Sequence, residues 1–255
     1  MAGAPGHQAK ALNRDGTLKK APRGSYRNHP TMGGFDQMTA RVGGFWDSML
    51  GEGRHWWITS NSDSHINWRE GGSDFWPGEY SKTYVWAQRN HDDILDGIRH
   101  GRVFVTLGDL ISQLQITARG GRDRAQIGGA LSMPAGTDVD VTIRFLDPVG
   151  PNWGGRDPSV ARVDLIVGQV TGPVADRDTD TNPTTRVMKR FTSTDWKTDG
   201  AYREITYRLK DVAAASYLRV RGTNGEEMEP SNDPEGEDPW SDLWFYSNPI
   251  FLEVE

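Results

Sequence analysis

The sequence predicts a mixed α and β protein in two parts, an α/β part over residues 1–109 and an antiparallel β-sandwich over residues 110–255. Three observations support this prediction. Between residues 83 and 106 the pattern is strand, helix, strand, which is the order of elements in α/β folds. After residue 112 only short segments alternate between apolar and polar residues, as strands with one buried face do. The 30 glycines and 14 prolines among 255 residues indicate many turns.

The first part contains the clearest helix signal of the chain. Asn90 is a suitable N-cap, acidic residues follow it, apolar residues recur at helical spacing, and Gly101 ends the pattern. Segments 83–87 and 102–106, on either side, are rich in β-branched and aromatic residues and are predicted strands. A short helix is predicted over residues 45–50, because apolar residues at helical spacing stop at two glycines.

The second part is predicted to consist of strands alone. Seven segments carry the alternating pattern: residues 113–118, 139–145, 162–167, 202–209, 217–221, 244–246 and 250–254. Turn-rich stretches separate them, and no helical pattern of ten residues occurs. Because no flexible linker marks the boundary near residue 109, we expect the two parts to pack directly together.

Composition excludes several classes of function. The net charge is −6 and no basic stripe occurs, which argues against nucleic acid or an anionic membrane as a partner. Without cysteine, the chain has no disulfides, thiolate zinc sites or thiol catalysis. No apolar run is long enough to predict a membrane span. The N-terminus lacks a signal-peptide pattern, so no export signal is expected in this chain, and its compartment stays open.

A candidate metal site follows a predicted buried strand over residues 56–59. Asp63 and His65, one residue apart in a polar run, offer a carboxylate oxygen and an imidazole nitrogen that suit a first-row divalent metal. Asn61 or Asp47 is a candidate to accept a hydrogen bond from the other nitrogen of His65. The alternative is a polar turn in which Asp63 caps the next segment.

Two further stretches are candidate functional segments. The aromatic loop around Trp76 offers a pocket wall for a small-molecule substrate. Residues 226–242 hold eight acidic residues and no basic one, a composition that is typical of a solvated loop.

Several segments, in their order along the chain, resemble the polymerase-and-histidinol-phosphatase (PHP) superfamily of metal-dependent phosphoesterases. The likeness is to the branch with a C-terminal β-sandwich. The segments include Gly-Ala-Pro-Gly-His-Gln at residues 3–8, Ser-Asp-Ser-His at residues 62–65, and residues 43–54, 76–80, 101–105 and 246–251. The resemblance spans nearly the whole chain, and the order of the segments is more specific than any one of them.

The resemblance implies a distorted (β/α) barrel with two or three divalent ions, Mn, Zn, Fe or Mg, at the C-terminal strand ends. The late Asp-x-His ligands of the superfamily correspond to Asp63 and His65. An imidazole ligand from an earlier strand corresponds to His7, with His29 as the alternative. The implied substrate is a small-molecule ester or phosphoester.

Two arginines of the early loop, Arg14 and Arg23, are then candidates to bind the phosphate of that substrate together with Trp76. Solvated arginines are the alternative. The chain departs from the superfamily in one respect, because none of its six histidines forms a His-x-His pair. We therefore expect that the N-terminal part of the barrel is missing and that residues 1–109 are its C-terminal remnant.

The expected function is that of a metal-dependent hydrolase of the phosphoesterase type, incomplete as this chain. Two other functions stay open. One is a scaffold of the same ancestry that does not catalyse. The other is a carbohydrate- or protein-binding β-sandwich module.

Overall fold

A computed structural model describes residues 30–62, 75–234 and 237–255. Its helices are short: α1 (Gln37–Ala40), α2 (Phe45–Gly51) and α3 (His91–Arg99). The strands are β1 (Ser81–Val85), β2 (Val103–Leu107), β3 (Gln113–Gly120), β4 (Asp123–Gln126), β5 (Ala130–Met133), β6 (Thr137–Leu146), β7 (Arg162–Gln169), β8 (Arg186–Thr192), β9 (Lys197–Asp199), β10 (Tyr202–Val212), β11 (Ser216–Thr223), β12 (Trp244–Ser247) and β13 (Ile250–Val254).

The strands form two sheets. The eight-stranded sheet has the order β1-β2-β12-β11-β13-β5, with β7 paired to β11 and β8 paired to β7. The five-stranded sheet has the order β4-β3-β6-β10-β9. All described pairs are antiparallel except β13 with β5. Each of the seven segments predicted as strands after residue 112 forms a strand. Period-2 burial is clear along β3 and β6, whereas every residue of β11 and β12 is buried.

The core lies between the two sheets. Along β3 the buried positions Leu114, Ile116 and Ala118 alternate with partly exposed or exposed ones. The ring of Phe145 on β6 lies 6.5 Å from the ring of Phe245 on β12, in the other sheet. This arrangement is sandwich-like, with each sheet burying the apolar positions of the other.

The predicted (β/α) barrel remnant is wrong. In the described part of the chain there is no barrel, and β1 and β2 are antiparallel neighbours, with the rings of Tyr84 and Phe104 stacked at 4.7 Å. The α/β interpretation assumed that a helix between two strands connects parallel ones. Here β2 also pairs with β12, so tertiary pairing rather than the order of elements determines strand direction.

The predicted boundary near residue 109 falls between strands of one sheet. β1 and β2 precede it, whereas β5, β7, β8, β11, β12 and β13 follow it. The division into residues 1–109 and 110–255 stays a prediction, but the eight-stranded sheet takes strands from both sides of it.

The predicted strand over residues 56–59 is also wrong. The segment joins no sheet, and Trp56 is 49 % exposed. The Ile58 N–H donates to Asn248 Oδ1 at 2.8 Å, and the Ser60 N–H donates to Thr83 Oγ1 at 2.9 Å. Side chains of β1 and of the β12–β13 connection thus take the place of a neighbouring strand.

Both predicted helices are present. Asn90 caps α3 by accepting from the Asp93 N–H at 2.9 Å. Helix α3 packs against β1 through its buried residue Gly97, where an added Cβ would lie 2.6 Å from Val85 Cγ1. Of the helices in the described ranges, none is both long and apolar enough to cross a membrane.

The outer face of the eight-stranded sheet is covered by two segments from opposite ends of the chain. One is the stretch from Thr31 to α2, in which the ring of Phe35 meets the ring of Tyr246 at 4.7 Å. The other is residues 226–242, called the acidic loop below, which connects β11 to β12. These two segments meet each other and build the site described next.

Candidate functional site

The acidic loop is folded against the protein. Tyr80, which is buried just before β1, donates its hydroxyl hydrogen to the Pro239 carbonyl at 2.8 Å. The ring of Trp240 contacts that of Tyr80 edge-on at 5.2 Å. Arg156 forms an ion pair with Asp238. The loop is therefore only partly solvated, despite its charge.

Hydrogen bonds to residues 31–34 fix the position of Asp233 in the acidic loop. Its Oδ1 accepts from the Gly33 N–H at 2.6 Å and its Oδ2 from the Gly34 N–H at 2.9 Å. Its own N–H donates to the Thr31 carbonyl at 2.8 Å. The sequence must supply glycine at position 33, where φ is +54° and an added Cβ would lie 2.4 Å from Trp244 Cδ1. A close backbone turn thus presents two donors to one carboxylate.

Three carboxylates converge at this point and are called the acidic triad. Asp233, Glu237 and Asp242 each place an oxygen within 4.8 Å of the others. A hydrogen bond joins the carboxyl groups of Glu237 and Asp242, and Asp233 accepts another from the Thr31 side chain. A proton between Glu237 and Asp242 balances part of the crowded negative charge.

Burial and mutual repulsion shift the titration of the triad. Burial, and next the charge of Asp233, raise the pKa of Glu237 to about 9 and that of Asp242 to about 6. Burial also raises the pKa of Asp233, although hydrogen bonds from the Thr31 side chain and from the amides of Gly34 and Gly33 oppose that shift. At neutral pH the triad therefore keeps a proton, which a cation can replace.

The acidic triad has the chemistry of a site for a hard divalent cation. Its ligand atoms are all carboxylate oxygens, which suit Ca²⁺, Mg²⁺ or Mn²⁺ better than Zn²⁺. Ca²⁺–oxygen bonds of about 2.3–2.6 Å put opposite ligands about 4.6–5.2 Å apart. The three oxygens lie within 4.8 Å of one another, which is close enough for one ion to contact all of them.

The site residues predicted from the sequence are mostly not described. Five lie outside the described residues: His7, Arg14, Arg23, Asp63 and His65. Trp76, the predicted substrate contact, is 53 % exposed in the turn before β1. Its backbone N–H donates to Glu79 Oε2 at 2.7 Å.

Asp47, a predicted acceptor for His65, is instead bound to an arginine. Arg219 donates to its Oδ1 from Nε at 2.9 Å and to its Oδ2 from Nη2 at 2.7 Å. Both side chains are fully buried. Asp47 therefore belongs to the packing of α2 against β11.

Sequence reasoning missed the acidic triad, although it noted the acids of residues 226–242. Asp233, Glu237 and Asp242 are spaced by four and five residues in a loop, which matches no periodic pattern or metal motif. Asp233 is held by the amides of Gly33 and Gly34, about two hundred positions earlier. The pair of glycines was the only available signal, and by itself it indicates a turn.

Comparison with protein-family models, with curated proteins and with solved structures finds no match. The PHP resemblance therefore rests on the sequence motifs alone and stays a prediction. The acidic triad rests on contacts within this chain.

Proposed function

We propose that this chain is a divalent-cation-binding β-sandwich protein whose ion is held by Asp233, Glu237 and Asp242. The observation that supports this proposal is the convergence of three carboxylates within 4.8 Å, in a partly buried place where the pKa of Glu237 is raised to about 9. Like charges crowded in this way repel one another. A divalent cation removes that repulsion and replaces the proton between Glu237 and Asp242.

The ion would join the middle of the acidic loop to its end. Asp233 lies on the turn at Gly33 and Gly34, whereas Asp242 lies just before β12. By linking these two positions, the ion would stabilise the acidic loop on the outer face of the eight-stranded sheet. By mass action, a ligand at 100 times its Kd adds about 2.7 kcal/mol to the free energy of unfolding.

The test is a pair of Glu-to-Gln variants within the acidic loop. Glu237→Gln mimics the protonated acid present at neutral pH, so we expect it to fold normally but to bind Ca²⁺ or Mn²⁺ at least about tenfold more weakly. Glu226→Gln, exposed in the same loop and outside the triad, should leave the Kd unchanged. Binding is measured by titration calorimetry.

Terbium provides a second readout, because it replaces Ca²⁺ and its emission is sensitised by a nearby tryptophan such as Trp240. Emission should be reduced in Glu237→Gln and kept in Glu226→Gln. Equal affinities in the two variants, or no binding at millimolar ion, would contradict the proposal.

Hydrolase activity of the phosphoesterase type stays a prediction, since its proposed ligands His7, Asp63 and His65 lie outside the described residues. We expect this chain to hydrolyse aryl phosphates very slowly with Mn²⁺ or Zn²⁺. Three ligands without a His-x-His pair leave several metal positions to solvent and the nucleophile unaligned. Substantial turnover that is lost in Asp63→Ala would show instead that the Asp-x-His site is complete. Loss in Glu237→Gln alone would assign the turnover to the acidic triad.

A further inference from the structure

The outer face of the five-stranded sheet carries polar side chains that the acidic triad does not use. On β3, Ile116 and Ala118 are buried and turn toward the core. Gln115, Thr117 and Arg119 alternate with them, so their side chains leave the opposite face of the sheet. The acidic loop lies on the other sheet, and this face is therefore a separate surface.

Two hollows open along this face. The first has a volume of about 170 Å³, and its lining includes Trp86, Arg102, Gln115 and Gln126. The second has a volume of about 560 Å³ and is lined by residues of the four strands β4, β3, β6 and β10. Gln126 lines the first hollow and Thr117 the second, and these residues are direct partners across β3 and β4. The two hollows therefore lie side by side.

Trp86 forms a wall of the first hollow and is fixed by hydrogen bonds. Its Nε1–H donates to the Leu114 carbonyl at 3.0 Å, and its own carbonyl accepts from Arg102 Nε at 3.2 Å. Trp86 is nevertheless 41 % exposed. A fixed and partly exposed indole is a surface on which the apolar face of a sugar ring can pack.

A row of three threonines, called the threonine row, crosses the second hollow. Thr117, Thr142 and Thr206 are direct partners across β3, β6 and β10, so they share the outer face. Gln126 continues the row on β4. Hydroxyl and amide groups both donate and accept hydrogen bonds, as the hydroxyl groups of a saccharide require.

Two arginines beside the threonine row, called the arginine pair, have no counterion. Arg119 on β3 and Arg124 on β4 are direct partners, and both line the second hollow. Within the described ranges, neither side chain forms an ion pair. Like charges directly opposite each other destabilise a sheet. An anionic group between the two guanidinium groups would remove this repulsion.

The acidic residues near the arginine pair already have partners. Asp140 accepts from Arg208 at 2.6 and 3.0 Å, and Asp138 accepts from the Asp211 N–H at 3.0 Å. Three arginines and one aspartate line the second hollow, so its charge stays positive even when Asp138 is counted. The β3–β4 turn adds one basic and one acidic residue, whose charges cancel.

We propose that the two hollows bind an acidic oligosaccharide, with one sugar ring on Trp86 and a carboxylate or sulfate group between Arg119 and Arg124. Guanidinium groups bind such anions through paired hydrogen bonds. Gln115 and Arg119 are four residues apart on β3, or about 13 Å, so the ligand spans more than one sugar. Single-stranded nucleic acid would need cations along its whole backbone, whereas this face offers one arginine pair.

An array of uronate-containing and sulfated oligosaccharides, printed with their neutral counterparts, tests the proposal on the full chain. We expect binding to acidic members and weaker binding to the neutral counterpart of each. The Kd of the best acidic member is then measured by titration calorimetry. An array on which no acidic member binds would overturn the proposal.

Two matched pairs of variants locate the site. Arg124→Gln should weaken binding of that oligosaccharide at least about tenfold, because it removes one charge-assisted contact. Arg122→Gln makes the same change in net charge at an exposed position outside both hollows, and should keep the Kd. Trp86→Ala should also weaken binding about tenfold, whereas Trp76→Ala, at another exposed tryptophan, should not. Equal losses within the arginine variants would contradict the proposal.

Two competitors separate a saccharide site from other anion sites. Inorganic sulfate that displaces the oligosaccharide at equal molar concentration would overturn the proposal, since the hollow would then hold an oxyanion only. A single-stranded oligonucleotide that binds more tightly than every oligosaccharide would overturn it in favour of nucleic acid. We expect neither, because the threonine row and Trp86 contact parts of a saccharide that sulfate lacks.

Discussion

Buried carboxylates of this protein occur in two electrostatic environments. Asp47 and Asp164 lie against the guanidinium groups of Arg219 and Arg221, at distances of 2.7 to 2.9 Å. The carboxylates of the acidic triad instead lie close to one another. The first environment stabilises negative charge, whereas the second favours protonation or cation binding.

Cation affinity should depend on pH because the acidic triad must release a proton. The pKa of Glu237 is raised from 4.5 to about 9, so the folded chain binds more protons than the unfolded chain between these values. Without cation, the stabilising contribution of this proton is complete below about pH 4.5 and is lost as pH rises through about 9. The Kd for Ca²⁺ should fall between pH 6 and pH 9, by up to about tenfold per pH unit. If calorimetry shows a constant Kd over this range, the cation does not replace a proton of the acidic triad.

The ion pair between Asp47 and Arg219 should contribute strongly to stability. Asp47→Ala leaves a fully buried guanidinium without its counterion, at a cost of about 3–5 kcal/mol in the free energy of unfolding. The matched variant Asp140→Ala removes an exposed partner of Arg208 and should change little. Urea unfolding compares the two, and a similar small loss in both would show that the buried pair is dispensable.

At the scale of elements, the segment around Ile58 is held by side chains and not by strand pairing. Asn248 is fully buried beside β13, accepts from the Ile58 N–H at 2.8 Å and donates to the Ile58 carbonyl at 3.4 Å. Thr83 on β1 accepts from the Ser60 N–H and donates to the Ser60 carbonyl at 2.6 Å. The extended segment is thus fixed at two points.

Replacing Asn248 by Ala should release this segment. The Ile58 N–H and carbonyl lose their partners while buried, which costs about 1–3 kcal/mol. Hydrogen exchange at the Ile58 and Ser60 amides should become faster. Asn90→Ala, which removes the cap of α3, should speed exchange in α3 alone. Unchanged protection at Ile58 in Asn248→Ala would mean that other contacts hold the segment.

At the scale of the whole molecule, the eight-stranded sheet connects early and late parts of the chain. β2 lies between β1 and β12, and its register pairs Val105 with both Thr83 and Tyr246. Removing residues 1–109 would expose the edge of β12 and the apolar residues that β2 covers.

This connection should make unfolding a single cooperative transition. Near-ultraviolet and far-ultraviolet circular dichroism should report the same midpoint, because loss of β2 uncovers β12. A fragment of residues 110–255 should aggregate through its exposed strand edge. Two separate transitions, together with a soluble and folded fragment, would instead support the division at residue 109.

Local signals explain why many elements could be predicted. Period-2 alternation marks β3, β6 and β10, and the cap at Asn90 marks the start of α3, because both patterns depend only on neighbouring residues. The segment 56–59 has the composition of a strand but found no partner strand, so composition alone misassigned it.

By itself, the sequence determined where most strands and helices lie, the absence of cysteine chemistry, and the concentration of acidic residues between β11 and β12. Only the tertiary structure decided that β1 and β2 run antiparallel within the sandwich sheet, and that Asp233, Glu237 and Asp242 converge. The reason is separation along the chain. Strand direction depends on pairing between β2 and β12, and the position of Asp233 depends on an amide 200 residues away at Gly33. No local pattern records contacts of that length.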